Sequence, residues 1–210
     1  MMELIRKYFG KKFTEEQLEQ FAALDELYRD WNSKINVISR KDIDMLYEHH
    51  VLHSLAIANV IRFREGTKIL DFGTGGGFPG IPLAIAFPDC HFTMIDGTGK
   101  KIRVAQEVAN AIGLKNTEIV HRRGEEEKGL YQFVVSRAVM PLPDLMKIVR
   151  KNIGGKQQNS LPNGVIVLKG GNIENEIRPF KHLIDTLEIS SFFEEEWFKE
   201  KNVIYLPVYT

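Results

Sequence analysis

Thiol chemistry has almost no foothold in this 210-residue chain, which carries one cysteine, Cys90. That excludes a disulfide framework within the chain and a four-cysteine zinc site, and it suits a reducing compartment. Neither charge sign is in excess, with 28 Lys and Arg against 28 Asp and Glu. A nucleic-acid partner must therefore be held by a local basic patch. Long hydrophobic runs are missing as well. The longest clean one, 81–87, is far too short to span a membrane. Glu3, Arg6, Lys7, Lys11 and Lys12 interrupt the amino-terminal stretch, so it has no signal-peptide core. A cytoplasmic protein without a membrane partner is expected. No internal repeat is present.

What remains is a soluble globular composition, 43% apolar and 27% charged. The first sixty or so residues read as helix. Thr14 and Gln17 form a capping box, and Leu18, Phe21, Leu24, Tyr28, Trp31 and Ile35 recur at steps of three and four. A polar break at 32–40 precedes a second helical pattern from about Asp42, carrying Ile43, Leu46, His50, Ile57 and Ile61. Strands are then expected at 68–72, 91–96, 117–121, 132–136 and 165–169. Helices are expected at 81–87, 100–112, 142–153 and 174–184, the second closed by Gly113. Two late strands, 188–193 and 203–208, with little between them suggest an antiparallel edge hairpin. The alternation predicts an α/β fold with a mostly parallel sheet covered on both faces, behind a helical extension over 1–62. The segment 154–164 reads as a mobile polar loop.

The sharpest signal is the run Asp71-Phe72-Gly73-Thr74-Gly75-Gly76-Gly77-Phe78-Pro79-Gly80, directly after a strand and before a helix. Glycines let the backbone approach a ligand closely, and the helix start offers free N–H groups to a carboxylate or phosphate. Two cofactors fit. Gly75, Gly77 and Gly80 match the dinucleotide fingerprint. Asp71 followed by Gly73, Gly75 and Gly77 is the methyltransferase pattern, which holds the amino-acid end of S-adenosylmethionine. Asp96, ending the next strand, can accept from ribose hydroxyls in either case.

Other chemistry-bearing residues are weaker signals. His49, His50 and His53 could place two imidazoles on one helix face. No carboxylate completes a metal motif, so packing or hydrogen-bonding roles are expected. Cys90 lies at the wrong end of its strand for catalysis and is expected to be inert. Arg122, Arg123, Gly124 and Glu125 follow the third strand at the ligand-binding edge, where an acid could pair with an adenine amino group. The competing reading is a solvated charge cluster over 125–128. Arg137 follows the fourth strand. The sequence there, Ser136-Arg137-Ala138, lacks the polar side chain that grips an exocyclic amine. Lys147, Arg150, Lys151 and Lys156 read equally as a solvated face or a phosphate contact.

These residues resemble the bacterial small-subunit ribosomal RNA methyltransferase G family, also called the glucose-inhibited division protein B family. The resemblance rests on Trp31-Asn32 with Asn36, on the stretch LDFGTGGGFPGIPLAI (70–85), and on Lys100-Lys101, Gly124-Glu125, Ser136-Arg137-Ala138 and Lys169-Gly170. One departure is His53, where the family usually has an aspartate. The resemblance implies a class I S-adenosylmethionine-dependent methyltransferase, with a Rossmann-like seven-stranded sheet over 63–210. It implies methyl transfer to N7 of one guanine in 16S ribosomal RNA, as naked RNA, small subunit or assembly intermediate. Family cofactor contacts map onto Gly73, Phe78, Asp96, Gly97, Thr98, Gly124, Glu125 and Arg137. Candidate RNA contacts are Lys100, Lys101, Arg123 and Lys169, with Arg122 and Arg137 beside them. An aromatic or Arg plane for stacking an RNA base is expected near Phe78 or Arg137. No metal and no catalytic base are expected, because guanine N7 has a lone pair and no proton to lose. A monomer is expected. The alternatives are a non-catalytic ribosome-assembly factor, a small-molecule methyltransferase and an NAD enzyme.

Overall fold

The computed structural model describes residues 2–209. The chain opens with α1 (Met2–Phe9) and α2 (Glu15–Lys34), the latter started by the Thr14/Gln17 capping box. Leu18, Phe21, Leu24 and Tyr28 bury the inner face of α2, as their spacing requires. The second helical pattern is not one regular helix. A 3-10 turn (Ile43–Met45) leads into a π-helical segment (Leu46–Leu52), then α3 (His53–Leu55) and α4 (Ile57–Val60). A π turn shifts the register of the side chains, so no single 3.6-residue stripe describes the segment.

The sheet follows: β1 (Lys68–Phe72), α5 (Gly80–Ala86), β2 (His91–Asp96), α6 (Gly99–Ala111), β3 (Thr117–His121), β4 (Phe133–Arg137), α7 (Leu142–Val149), β5 (Gly164–Gly170), α8 (Glu174–Ile177), β6 (Asp185–Glu188) and β7 (Lys201–Pro207). Its order is β3-β2-β1-β4-β5-β7-β6. β7 alone runs against its neighbours, pairing antiparallel with both β5 and β6. Its run Val203-Ile204-Tyr205-Leu206 is buried throughout, which suits a strand covered on both faces.

Alternate residues of the strands feed two cores. Ile69, Phe133, Val135, Ile166 and Leu168 join a large cluster with α1, α2 and the π segment. Leu70, Val134, Val165 and Val167 face α7 in a smaller one. The helical extension and the sheet thus share one core.

Three expectations fail. The strand expected at 188–193 is a 3-10 turn (Ile189–Ser191) and loop, while the strand lies earlier, at β6. The turn buries Ile189 and Phe193 while Ser191 stays exposed; as a strand, all three would share one face. The helix expected at 174–184 stops at Ile177 and passes into a 3-10 turn at Arg178–Phe180, because Pro179 lacks the N–H that a continuing helix needs. The loop 154–164 is tied down. Buried Asn163 donates to the carbonyls of Gly154 and Gly155, and Asn159 accepts from the Arg64 amide.

β1 is the switch point of this sheet. The chain moves outward through β2 and β3, then returns to the other side of β1 as β4. Open α/β sheets bind ligands at the carboxyl ends of strands at such a point. The glycine turn, Asp96 and Arg137 all lie at those ends.

Candidate active site

Asp71 builds the turn. Its side chain is fully buried, and Oδ2 accepts from the Thr74 hydroxyl at 2.5 Å and from the Gly80 amide at 2.8 Å. Burial pushes its carboxyl up to about 7, against those two hydrogen bonds and the nearby Arg137 charge, which pull it down. A side chain at Gly80 would put its Cβ 2.6 Å from Asp71 Oδ2 and 2.7 Å from Met94 Sδ, so only glycine fits. These contacts overturn one expectation. The start of α5 offers no free N–H: Gly80 donates to Asp71, Ile81 to the Gly77 carbonyl and Leu83 to that of Pro79, and Pro82 has no N–H.

Asp96 anchors the other side of the turn. Its two oxygens accept from the amides of Gly75, at 2.9 Å, and Thr98, at 2.7 Å. Each oxygen keeps a further lone pair for a hydroxyl.

Two adjoining cavities open here. One, of about 430 Å³, is lined by Gly73, Thr74, Gly75, Phe78, Lys101 and Arg137, with Val37 closing one wall. The second, of about 350 Å³, is lined by Gly97, Arg123, Gly124 and Glu125 among others. Gly73, Asp96, Thr98 and Val139 border both. Val139, 40% exposed, sits over Gly73, where any added Cβ would fall 2.5 Å from Val139 Cγ2. It lies on a turn held in the left-handed region at Ala138, φ 50°.

The structure therefore brings all eight cofactor candidates to one continuous cleft. The RNA candidates divide. Lys101 and Arg123 line the cleft and Lys100 is exposed beside it. Lys169 is withdrawn: only 11% of its side chain is exposed, and it pairs with Glu176 at 2.6 Å and donates to the Met140 carbonyl. Arg122 is likewise paired, with Glu127. Glu127 is 2% exposed and also accepts from the amides of Lys128 and Gly129, so the solvated-cluster reading of 125–128 fails at that residue. Phe78 offers no open stacking face. It is 4% exposed, with the Arg137 guanidinium lying 5.1 Å from its ring centroid.

The three histidines serve packing and hydrogen bonding. His49 stacks on Trp197 at 4.2 Å and bonds Asp42, His50 bonds Arg137, and His53 is buried against Trp197. Cys90 is buried and its thiol is pushed up to about 12 by that burial, which keeps it unreactive.

Val37 itself gives no functional signal in the sequence. Asn32 Oδ1 accepts from the amides of Val37 and Ile38, both at 2.9 Å, and its Nδ2 donates to the Ile38 carbonyl. The helical extension thereby supplies a wall of the cleft. The hint is Asn32 itself, which belongs to the Trp31-Asn32 and Asn36 pattern of the resemblance and is a residue type that bonds nearby backbone.

The family model for rRNA small subunit methyltransferase G, GidB, matches residues 15–202. This chain belongs to that family. A "Ribosomal RNA small subunit methyltransferase G" from Bacteroides thetaiotaomicron is 66% identical over 207 residues, covering 99% of this chain and 100% of that protein. Its counterpart from Bacteroides fragilis is 64% identical with the same coverage. Among solved structures, a SAM-dependent methyltransferase from Aquifex aeolicus aligns with a TM-score of 0.56 at 15% identity, over 82% of this chain and 100% of that one. That likeness shows the fold. The cleft between the turn, Asp96 and Arg137 suits S-adenosylmethionine as a donor. The glycine turn leaves room along its backbone, Asp96 offers lone pairs to hydroxyls, and Arg137 offers N–H groups to a carboxylate. No helix among the described residues is long and apolar enough to cross a membrane.

Proposed function

We propose that this chain transfers a methyl group from S-adenosylmethionine to N7 of one guanine in small-subunit ribosomal RNA. The observation that carries this reading is a cationic opening, lined by Lys101 and Arg137, beside the glycine turn. Among the described residues Asp96 is the one acid lining the larger cavity, and both its oxygens already accept backbone N–H groups. Guanine N7 needs no base. Its lone pair forms the new N–CH₃ bond as the S–CH₃ bond breaks, the electron pair goes to sulfur, and no proton moves.

The chain's own work is placement. Gly73, Asp96, Thr98, Gly124 and Glu125 would hold the donor, and Arg137 would take its carboxylate. Lys100, Lys101 and Arg123 would hold RNA phosphates at the rim. Alignment and exclusion of water supply the rate. The substrate is the RNA or a small-subunit particle, met in the cytoplasm by a single copy of the chain.

The test is methyl transfer from labelled S-adenosylmethionine to ribosomal RNA from cells lacking this protein, with the modified base mapped by chemical cleavage at N7-methylguanine. One labelled guanine in the small-subunit RNA is expected. Label on an exocyclic nitrogen, or on small molecules alone, contradicts the reading.

A further inference from the structure

The Arg137 guanidinium lines the larger cavity, yet no carboxylate lies within ion-pair distance of it among the described residues. Its two protein acceptors are neutral and adjacent in sequence. Nη1 donates to the His49 carbonyl at 3.3 Å and Nη2 to His50 Nδ1 at 2.9 Å. Both acceptors come from the π-helical segment of the extension, whereas Arg137 ends β4. Phe78 packs against both partners, 5.1 Å from the guanidinium and 5.2 Å from the His50 ring. The guanidinium is thus fixed on a floor and along one edge, with its remaining N–H groups left for the cavity.

We propose that His50 is a positioning residue for the cofactor, holding Arg137 so that its unused N–H groups face the donor's carboxylate. This rests on the methyltransferase reading above. An acceptor at Nδ1 requires the ring proton to sit on Nε2, so the imidazole must be neutral. Burial, and then the Arg137 charge, push the His50 imidazole down to about 3, which keeps it neutral near pH 7. A cationic imidazole would repel Arg137; a neutral one orients it without cancelling its charge. An acid in that place would pair with Arg137 and take the charge that the carboxylate needs.

Two variants separate this role from packing. His50→Asn keeps an acceptor oxygen near the Nδ1 position, and His50→Leu keeps bulk without an acceptor. Full-length protein is titrated calorimetrically with S-adenosylmethionine and with 5′-methylthioadenosine, which lacks the amino-acid end. His50→Leu is expected to weaken S-adenosylmethionine binding about tenfold or more and methylthioadenosine binding less than about twofold, while His50→Asn stays within about threefold of wild type for both. The proposal is overturned if His50→Leu binds the donor as wild type does, if His50→Asn fails as His50→Leu does, or if both ligands weaken together. Wild-type protein that binds methylthioadenosine but gains nothing from the amino-acid end also overturns it. Wild-type protein that binds neither ligand overturns the methyltransferase reading itself.

Discussion

The hydroxyl of Tyr28, in α2, donates to the carbonyl oxygen of Gly76, in the glycine turn, at 2.8 Å. Tyr28 is fully buried, and its ring lies 4.8 Å from that of Phe78. The extension is thus bonded to the turn that forms the cleft. Tyr28→Phe keeps the packing and leaves the Gly76 carbonyl without this donor. A loss of about 1–2 kcal/mol in urea unfolding is expected, with weaker donor binding by calorimetry. An unchanged midpoint together with unchanged affinity would show that the bond carries nothing.

Acid should destabilise the fold through the histidines. Burial, followed by the Arg137 charge, holds His50 down at about 3 and His53 well below its ordinary 6.5. The folded state keeps both neutral, whereas the unfolded chain protonates them. Stability is therefore lost as pH falls below about 6.5, at up to about 1.4 kcal/mol per pH unit for each group. Asp71 acts in the opposite sense. Its folded value is raised to about 7, so the folded state binds a proton there first and gains stability as pH falls from 7 towards 4. Asp42, His49 and Arg137 also act on His50. The difference between wild type and His50→Asn isolates the His50 share. Urea midpoints between pH 7 and 5 should fall less steeply in the variant, and equal slopes would contradict this.

Much of this was readable from the residues, and the failures have physical causes. β1, β2 and β3 announce themselves as short β-prone runs bounded by turn residues. β6 does not, because Asp185, Thr186 and Glu188 are exposed on an edge and carry no apolar alternation. The π segment hides because periodicity cannot register a single widened turn. The glycine turn and Asp96 are legible as a candidate site because chemistry and local structure coincide there. Val37 is not, since its role depends on a contact across the fold with Gly76. The pairing of Lys169 with Glu176 hid for the same reason: charge is visible in a sequence, but its neutralisation is not.

The rim should behave as an electrostatic surface. Lys100 is exposed at the second residue of α6, beside the cleft. Lys100→Ala should weaken RNA binding across sequences and reduce the slope of log K against log salt by about 0.7–0.9, leaving donor affinity unchanged. Filter binding at several salt concentrations measures it. An unaltered slope would move the RNA path elsewhere.

The bend between β1 and α5 would be the seat of the sulfonium methyl donor. Titration calorimetry of the wild-type chain with S-adenosylmethionine tests this most directly. Binding at one site per chain, undiminished by excess NAD, is the predicted result. No measurable heat across the micromolar to millimolar range, or displacement of the donor by NAD, would contradict it.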